Sequence, residues 1–366
     1  MKISFMLPKK SKIIVFGLMS DEVVEIFESN NISYTIYNEL SRNININPIF
    51  VIKCFFNIIK CFRPYKILSL VHNVYHLTYL QLISPDYIFT QTDNSTLIHW
   101  LINHEKRIKF ISIQNGIRTK FELKFLKKYH LDQYRHDTFL MFGQHEEDIF
   151  SSMNIEINKS LKLGSLRLGL FLELKKKFTK KYDICLVSEF TQPPNKSDKH
   201  YNIKKNFYED LCAMHNAIAH YANETNKKII VALKGKDSEI KYYKRIFKNN
   251  IEFRYYNKVE YSSYEATCMS ELTLAFCSTL LLESLALGNK ALSIDTSNSD
   301  LYFNYPDFIK HNYQNYEMLR LHLDKILNMS SDEYINLSKK ILSNSMNINH
   351  NNYPHCEILK IAQGVN

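Results

Sequence analysis

A strand, a hydroxyl pair and a glutamate near residue 280 form the part of the sequence best suited to chemistry. The apolar run Glu271–Phe276 predicts a strand, and Ser278 and Thr279 follow it where a helix begins. The backbone N–H groups and positive dipole end of a helix N-terminus can hold a phosphate. Glu283 lies one turn further along the same face and can accept a ribose hydroxyl. These side chains predict a nucleotide-binding turn.

The same segment continues as a βαβ unit. Gly288 ends the helix, and an apolar strand, Lys290–Ile294, follows it. The alternative is that Ser278 only caps the helix and Glu283 faces solvent. Capping accounts for one hydroxyl but not for a carboxylate among the leucines of this helix, which favours the binding interpretation.

Two more polar positions in the second half follow strands. Lys234 comes after the strand Lys228–Leu233, and Ser188 comes after Tyr182–Val187. Open α/β sheets bind ligands at the carboxyl ends of their strands. Lys234 is therefore expected to neutralise a phosphate of the bound nucleotide. Ser188 is expected to face the same cleft. For Lys234 an ordinary basic turn is an equally good explanation.

Polar clusters also follow strands in the first half. Asp93 comes after the strand Tyr87–Thr90, and a second cluster comes after Lys109–Ile113. Both clusters are expected to line one crevice. An arginine there offers bidentate recognition of a carboxylate or phosphate. The expected sugar- or acceptor-binding residues are Asn94, Gln114, Asn115, Gly116, Arg118, Gly164 and Ser165.

Simpler explanations stay open for two of these positions. Asn115-Gly116 is a common turn pair, so the role of Gly116 can be purely conformational. Asp93 precedes a predicted helix and is explained as well by capping as by catalysis.

The order of elements must position these side chains. Short apolar runs alternate with helical stretches almost throughout, which is typical of parallel sheets covered by helices. A new series begins at residue 182, after the basic connector Lys175–Lys181, and 366 residues exceed what one core usually supports. We therefore expect two α/β domains, residues 1–175 and 176–366. Amphipathic helices in Tyr316–Ser343 and Glu357–Ala362 are expected to close the fold.

Composition narrows the class of partner and the compartment. The net charge of +10 favours an anionic partner, but the basic residues are scattered and no nucleic-acid-binding signature accompanies them. The seven cysteines show no CxxC spacing, which disfavours a disulfide framework and a zinc site. We expect reduced thiols in a cytoplasmic protein and no nucleic-acid partner.

The most apolar segment, Ile49–Phe62, is interrupted by Lys53, Asn57 and Lys60. It is shorter than the roughly 20 residues that a membrane-spanning helix needs. Its polar positions recur at helical spacing, which favours a buried amphipathic helix over one that rests on a membrane surface. A peripheral contact with the anionic inner face of the cytoplasmic membrane stays open.

The segment around Ser278 resembles the donor-binding βαβ unit of GT-B glycosyltransferases, in which hydroxyls meet the donor phosphate and a helix glutamate meets the ribose. The clusters that follow the strands, in chain order, also resemble bacterial surface carbohydrate biosynthesis proteins, which are similar in turn to retaining β-Kdo transferases of capsule and lipopolysaccharide assembly. This resemblance runs from about residue 85 to 295 and rests on Thr92–Ser95, Gln114–Arg118, Phe142–His145, Lys162–Arg167 and Asp183–Phe190.

The resemblance implies an α/β protein of GT-B type, with two Rossmann-like domains facing a central cleft. It implies transfer of Kdo or a related ulosonic acid from a CMP donor to a glycan or lipid-linked acceptor. The phosphate would lie near Ser278 and Thr279, and Arg118 would bind the sugar carboxylate. It implies no cofactor besides the nucleotide-sugar substrate.

The expected chemistry needs no metal, because helix termini and basic side chains can supply the positive charge that a departing phosphate requires. The sequence also lacks an Asp-x-Asp metal anchor. A retaining transfer needs a carboxylate nucleophile, for which Asp93 is the candidate and Glu146 and Glu147 are alternatives. His145 is the candidate acid or base.

Rival functions use the same architecture. A UDP- or GDP-sugar-dependent transferase, a sugar-nucleotide epimerase and a non-catalytic scaffold of a polysaccharide assembly complex all stay open. A dinucleotide oxidoreductase is disfavoured, because Val15–Ser20 holds one glycine where its fingerprint needs three.

Overall fold

A computed structural model describes residues 2–17, 20–38, 43–61, 67–119, 134–198, 201–247, 251–297, 307–349 and 351–364. The chain divides into two compact units. Unit 1 comprises Met1–Asn115, Lys124–Leu170 and Ile348–Asn366. Unit 2 comprises Gly116–Leu123 and Phe171–Asn347.

Each unit is an α/β structure. The strands are β1 (Lys2–Ser4), β2 (Ile13–Phe16), β3 (Thr35–Tyr37), β4 (Asn43–Asn45), β5 (Tyr87–Thr90), β6 (Lys109–Ile113), β7 (Arg135–Met141), β8 (Glu156–Lys162), β9 (Tyr182–Val187), β10 (Ile229–Ala232), β11 (Ile251–Arg254), β12 (Ser270–Ala275), β13 (Lys290–Asp295) and β14 (Lys310–Asn312). The α-helices are α1 (Asp21–Ser29), α2 (Pro48–Cys61), α3 (Ile67–Ile83), α4 (Thr96–His104), α5 (Gln144–Ser152), α6 (Leu166–Glu173), α7 (Tyr201–Thr225), α8 (Asp237–Phe247), α9 (Ser262–Cys268), α10 (Leu280–Ala286), α11 (Tyr316–Asn328), α12 (Ser331–Ser345) and α13 (Pro354–Ala362). A 3-10 turn, Asp307–Ile309, precedes β14.

The sheet of unit 1 is parallel and has the order β3-β2-β5-β6-β7-β8. Its strand order reverses between β2 and β5, where Phe16 pairs with Thr90. One face buries Phe16 with Leu77 and Trp100, and the other buries Phe27 with Ile358 of α13. The all-apolar run Ile13–Phe16 is buried on both faces, as a central parallel strand requires.

The sheet of unit 2 is also parallel and has the order β11-β10-β9-β12-β13-β14. This is the strand order 3-2-1-4-5-6 of a Rossmann fold. The order reverses between β9 and β12, where Leu186 pairs with Leu274. The crevice outside the carboxyl ends of these two strands is where such sheets bind ligands.

Several features differ from the sequence prediction. The polar run Glu156–Lys162 forms the edge strand β8, and α6 and β14 were not predicted. We expected residues 348–366 in the second domain, but they belong to unit 1, because Ile358 and Ile361 join its core.

Helix α2 is not the buried helix that we expected. Only Phe50 and Asn57 are buried. Its exposed large apolar side chains are Ile49, Val51, Ile52, Phe55, Phe56 and Ile59. Among the described residues, no helix has both the length and the apolar character to span a membrane.

Candidate functional site

Glu189 bridges the two strand ends at which the sheet order of unit 2 reverses. It follows β9, and its carboxylate accepts hydrogen bonds from the backbone N–H groups of Phe276 at 2.5 Å and Cys277 at 3.0 Å, just after β12. Burial raises the pKa of the Glu189 carboxyl, against the lowering effect of these N–H donors. These two N–H groups therefore bind a carboxylate of the chain itself.

The hydroxyls of Ser278 and Thr279 lie at this turn, but they do not cap the helix in the predicted way. Thr279 precedes α10 in a helical conformation and makes no capping hydrogen bond with its side chain. The Ser278 hydroxyl accepts a hydrogen bond from the N–H of Leu280 at 3.3 Å. The Thr279 hydroxyl accepts one from the N–H of Ile117 at 3.0 Å. A hydroxyl that accepts a hydrogen bond still carries a proton to donate, so both can meet an anion.

Glu283 does not face solvent. Its side chain is 7% exposed, and its carboxylate accepts a hydrogen bond from the hydroxyl of Tyr264, on α9, at 2.8 Å. A carboxylate has acceptor capacity beyond one hydrogen bond, so it can also take hydroxyls of a ligand. The structure thus excludes the solvent-exposed alternative for this residue.

A cavity of about 630 Å³ opens in unit 2 beside the turn, outside the carboxyl ends of β9, β10 and β12. Its lining consists of Thr119, Thr191, Gln192, Pro193, Pro194, Asn195, Asp198, Ile203, Lys204, Phe207, Lys236 and Cys277. Lys204 pairs with Asp198 at 3.3 Å, and Lys236 adds a second cation. Sequence analysis missed the lining residues within 191–198 and 201–207, because nothing in the local pattern distinguishes them from an ordinary connection.

One predicted donor-binding residue faces away from the cleft, and a second keeps its predicted place after a strand. Ser188 is fully buried, and its hydroxyl accepts a hydrogen bond from Tyr243 at 3.2 Å, so it faces the interior and not the cleft. Lys234 follows β10 with its side chain exposed, and its N–H donates to Glu239 at 2.9 Å. Burial raises the pKa of Glu189, and the charge of Lys234 is near enough to act against that rise. Its contact with a phosphate stays a prediction. Lys236, two residues later, is the lysine that lines the cavity.

The segment after β6 crosses from unit 1 to unit 2. Gly116 and Arg118 belong to unit 2, although we expected them in the first domain. A Cβ on Gly116 would lie 3.5 Å from the Thr279 hydroxyl oxygen and 3.8 Å from an Arg118 guanidinium nitrogen. Gly116 therefore lies close to both the buried Arg118 and the turn that carries Thr279.

In unit 1, Asp93 and Asn94 follow β5, one of the two strands between which the sheet order reverses. The Asp93 side chain is fully buried, whereas Asn94 is exposed. Ser95 caps α4 by accepting a hydrogen bond from the N–H of Ile98, so the capping explanation for Asp93 is excluded.

Gln114 and Glu146 form a buried pair in unit 1. The Gln114 amide donates to the Glu146 carboxylate at 2.9 Å and accepts from the N–H of Phe142 at 2.9 Å. His145, next to Glu146, is half-buried. Glu147, the other alternative nucleophile, pairs with Lys162 at 2.9 Å. Gln114 therefore fixes the loop between β7 and α5.

The remaining predicted residues have structural contacts of their own. The exposed Asn115 donates to the carbonyl of Gln91 at 2.8 Å. Gly164 has a φ of +83° and occupies the turn after β8. The buried Ser165 accepts from the N–H of Leu168 at 3.3 Å and so caps α6. Within the described ranges, no three His, Cys, Asp or Glu side chains group as a metal site requires. The expectation of metal-free chemistry stays a prediction.

Comparison with known structures identifies the fold. The UDP-GlcNAc 2-epimerase of Neisseria meningitidis, solved with UDP-GlcNAc, matches 100% of this chain and 99% of its own at a TM-score of 0.56 and 12% identity. The wall teichoic acid polymerase TagF matches 98% of this chain and 89% of its own, at a TM-score of 0.54 and 11% identity. Sucrose-phosphate synthase of Thermosynechococcus elongatus matches 96% of this chain and 98% of its own, at a TM-score of 0.53 and 9% identity. The predicted GT-B type of fold, with two Rossmann-like domains, is confirmed.

Sequence comparison identifies the family. Residues 111–363 match the family described as "putative O-antigen biosynthesis protein". No curated protein matches the chain. The match confirms the expected kinship with surface carbohydrate biosynthesis proteins, while the similarity to β-Kdo transferases stays a prediction. The chain is a member of this O-antigen biosynthesis protein family, built on a GT-B fold.

Proposed function

We propose that this protein is a glycosyltransferase of surface polysaccharide synthesis, which moves a sugar from a nucleotide-activated donor to a glycan or lipid-linked acceptor. The observation that carries the proposal is the cavity of about 630 Å³ outside the carboxyl ends of β9 and β12. A volume of this size suits a drug-sized ligand, and the position is the one at which Rossmann sheets bind nucleotides. Membership of an O-antigen family supplies the biological context.

The residues around the turn suit the parts of such a donor. Lys236 brings positive charge to the cavity, as a phosphate requires, while Lys204 lines it in a pair with Asp198. Ser278 and Thr279 add hydroxyl donors, and Glu283 is the acceptor for ribose hydroxyls. Tyr264 holds the Glu283 carboxylate in a fixed orientation, which reduces the ordering needed when a ligand binds.

For the donor we propose a CMP-linked ulosonic acid, such as Kdo or a relative. Such a sugar carries a carboxylate, and Arg118 lies next to Thr279 with its guanidinium buried. A guanidinium binds a carboxylate through two parallel hydrogen bonds.

Thermal unfolding with CMP, UDP or GDP tests the donor proposal. A ligand that binds only the folded state raises the melting temperature, so CMP is expected to give the largest shift. The same titration on Glu283→Gln must give a smaller shift if the nucleotide occupies this site. A larger shift with UDP than with CMP would contradict the ulosonate donor but leave the transferase proposal standing. No shift with any nucleotide would contradict both.

A sugar-nucleotide epimerase is the second candidate. The observation in its favour is the match, over the full chain, to an epimerase solved with UDP-GlcNAc. An epimerase converts its nucleotide sugar without any acceptor, whereas a transferase does so only by slow hydrolysis. Incubation of the protein with UDP-GlcNAc alone, followed by product analysis by NMR, separates the two functions. Formation of a C2 epimer would replace our proposal.

A further inference from the structure

We propose that helix α2, with the preceding segment Phe5–Leu7, forms a surface that docks onto an anionic membrane. We call this set of exposed apolar residues the α2 surface; its members are Phe5, Met6, Leu7, Ile46, Ile49, Val51, Ile52, Phe55, Phe56 and Ile59. The inference goes beyond the proposed function, because it concerns where the enzyme works and not what it transfers.

Helix α2 is apolar on its outer side as well as on its inner side, unlike an ordinary surface helix. Its inner side buries Phe50 and packs Ile58 against the core of unit 1. It also carries Asn57, whose amide donates to Thr78 at 2.9 Å and to Gln81 at 3.1 Å. Its outward stripe is apolar, with Ile52 57% exposed and Phe56 63% exposed. A helix that is apolar on its outer face is normally covered, and contiguous exposed apolar patches mark interaction sites.

The segment Phe5–Leu7 adds to this stripe. The Asn47 amide donates to the carbonyl of Phe5 at 2.8 Å, and the Asn45 amide donates to that of Met6 at 2.8 Å. These hydrogen bonds hold the segment against the residues that lead into α2. The apolar side chains of both stretches are thus presented by one rigidly paired region of unit 1.

The charge around the α2 surface selects the partner. Residues 1–20 and 40–85 of the sequence contain no Asp or Glu. Lys53 and Lys60 lie on α2, and Lys10 and Arg107 are near enough to Lys53 to lower its pKa, after the larger effect of burial. Arg107 is paired with Glu105 at 2.8 Å. Apolar side chains flanked by lysines match an anionic lipid surface, where each adds to binding.

A second copy of the chain fits this surface less well. In a two-fold symmetric dimer the same patch faces itself, so Lys53 and Lys60 of one copy would meet the lysines of the other. Repulsion between like charges opposes that contact, whereas anionic headgroups neutralise the same lysines. The charge pattern therefore favours lipid over self-association.

Flotation of the full chain with vesicles tests the proposal. We expect binding to vesicles of phosphatidylglycerol and phosphatidylcholine in equal parts, and little to phosphatidylcholine alone. The double variant Ile52→Ser/Phe56→Ser is expected to bind about a hundredfold more weakly, because two large apolar side chains no longer enter the lipid. Lys53→Gln/Lys60→Gln is expected to bind about thirtyfold more weakly, an effect that salt reduces.

Leu321→Ser/Leu337→Ser is the matched control, since both leucines are large, apolar and exposed on helices of unit 2. It must bind like the wild type. The altered side chains are exposed except for the half-buried Lys53, so circular dichroism is expected to show nearly the same melting in every variant. Absence of wild-type flotation, or equal flotation of Ile52→Ser/Phe56→Ser, would overturn the proposal. The proposal would also be overturned if the wild type formed a dimer in sedimentation velocity that Ile52→Ser/Phe56→Ser abolishes, and did not bind vesicles. None of these outcomes bears on nucleotide binding.

Discussion

The hydroxyl of Tyr264 donates a hydrogen bond of 2.8 Å to the buried carboxylate of Glu283. Glu283, an acidic residue among the leucines of α10, is therefore a hydrogen-bond acceptor whose orientation is fixed. The pair joins α9 to α10, so that the orientation of Glu283 depends on two helices of unit 2. Loss of Glu283 and loss of Tyr264 should therefore both weaken nucleotide binding, but to different degrees.

Glu283→Gln is expected to weaken CMP binding about tenfold or more, because hydrogen bonds to a charged acceptor contribute about 1.5–3 kcal/mol. Tyr264→Phe removes only the orienting bond and is expected to cause a loss of a few fold. Isothermal titration calorimetry measures both. A second Tyr–Glu pair, Tyr182 and Glu252, lies at the opposite end of the same sheet, 2.7 Å apart, and supplies the matched controls Tyr182→Phe and Glu252→Gln. Equal losses in the controls would refute a specific role for Glu283.

Thr279→Val is expected to loosen the segment that carries Arg118. The variant removes the hydroxyl that accepts from the N–H of Ile117, which leaves that N–H without this partner and costs about 1 kcal/mol. Hydrogen exchange at Ile117 should accelerate, and CMP affinity should fall. Thr279→Ser keeps the hydroxyl and should behave as the wild type. Unchanged exchange in the valine variant would argue against this contact.

Lys236→Met is expected to lower CMP affinity about fivefold to tenfold, because a cation that meets a phosphate is lost from the cavity. Lys234→Met is expected to have a smaller effect, since Lys234 is outside the cavity lining. Lys244→Met, on the exposed side of α8, controls for net charge. The loss in Lys236→Met should shrink as salt increases. A ranking with Lys234 first would restore the assignment made from sequence.

Glu189 gives a prediction for stability against pH. Burial raises its pKa in the folded protein above the ordinary value of 4.5, so the folded state holds the proton more tightly than the unfolded state. Stability from this group is then highest at low pH and is lost as pH rises from 4.5 through the raised folded pKa. Glu189→Gln mimics the protonated form and removes this loss.

The melting temperature of Glu189→Gln, relative to wild type, should therefore rise between about pH 4 and about pH 8. Glu252→Gln, an exposed carboxylate of the same unit, should show no such trend. A relative melting temperature that falls with pH would mean that the N–H groups of Phe276 and Cys277 outweigh burial and lower the pKa.

The sequence predicts the strands of both sheets where apolar runs are continuous, as in Ile13–Phe16 and Tyr182–Val187. It fails where the run is polar: the edge strand Glu156–Lys162 alternates exposed and half-buried side chains and lacks an apolar face. The βαβ unit around Glu283 is local in sequence, so its residue types and spacing predicted that Glu283 lies in the helix after β12 and does not face solvent. Its contact with a ribose stays a prediction.

Contacts between distant residues explain the site errors. Ser188 lies at a strand end, as predicted. Its buried hydroxyl accepts a hydrogen bond from Tyr243 of α8, so it faces the interior of unit 2 and not the cleft. The bond from Ile117 to Thr279 joins residues far apart in sequence, which no local pattern encodes. Helix α13 likewise packs on unit 1 through Ile358 and Ile361, whose contacts lie far away in the sequence.

Asp93→Asn is expected to lower sugar transfer at least about a hundredfold and to leave CMP affinity unchanged, if Asp93 is the nucleophile or base. The basis is its buried carboxyl just beyond β5, where the sheet order of unit 1 reverses and Ser95 already provides the helix cap. Asp86→Asn, at the other end of β5 and exposed, is the matched control. Transfer is measured with labelled CMP-sugar and a glycan acceptor, and affinity by calorimetry.

Two outcomes would contradict this role of Asp93. If Asp93→Asn transfers normally while Glu146→Gln does not, Glu146, the carboxylate that Gln114 binds, is the nucleophile or base instead. If Asp93→Asn loses CMP affinity and transfer together, the residue acts through the fold and not on the reacting sugar.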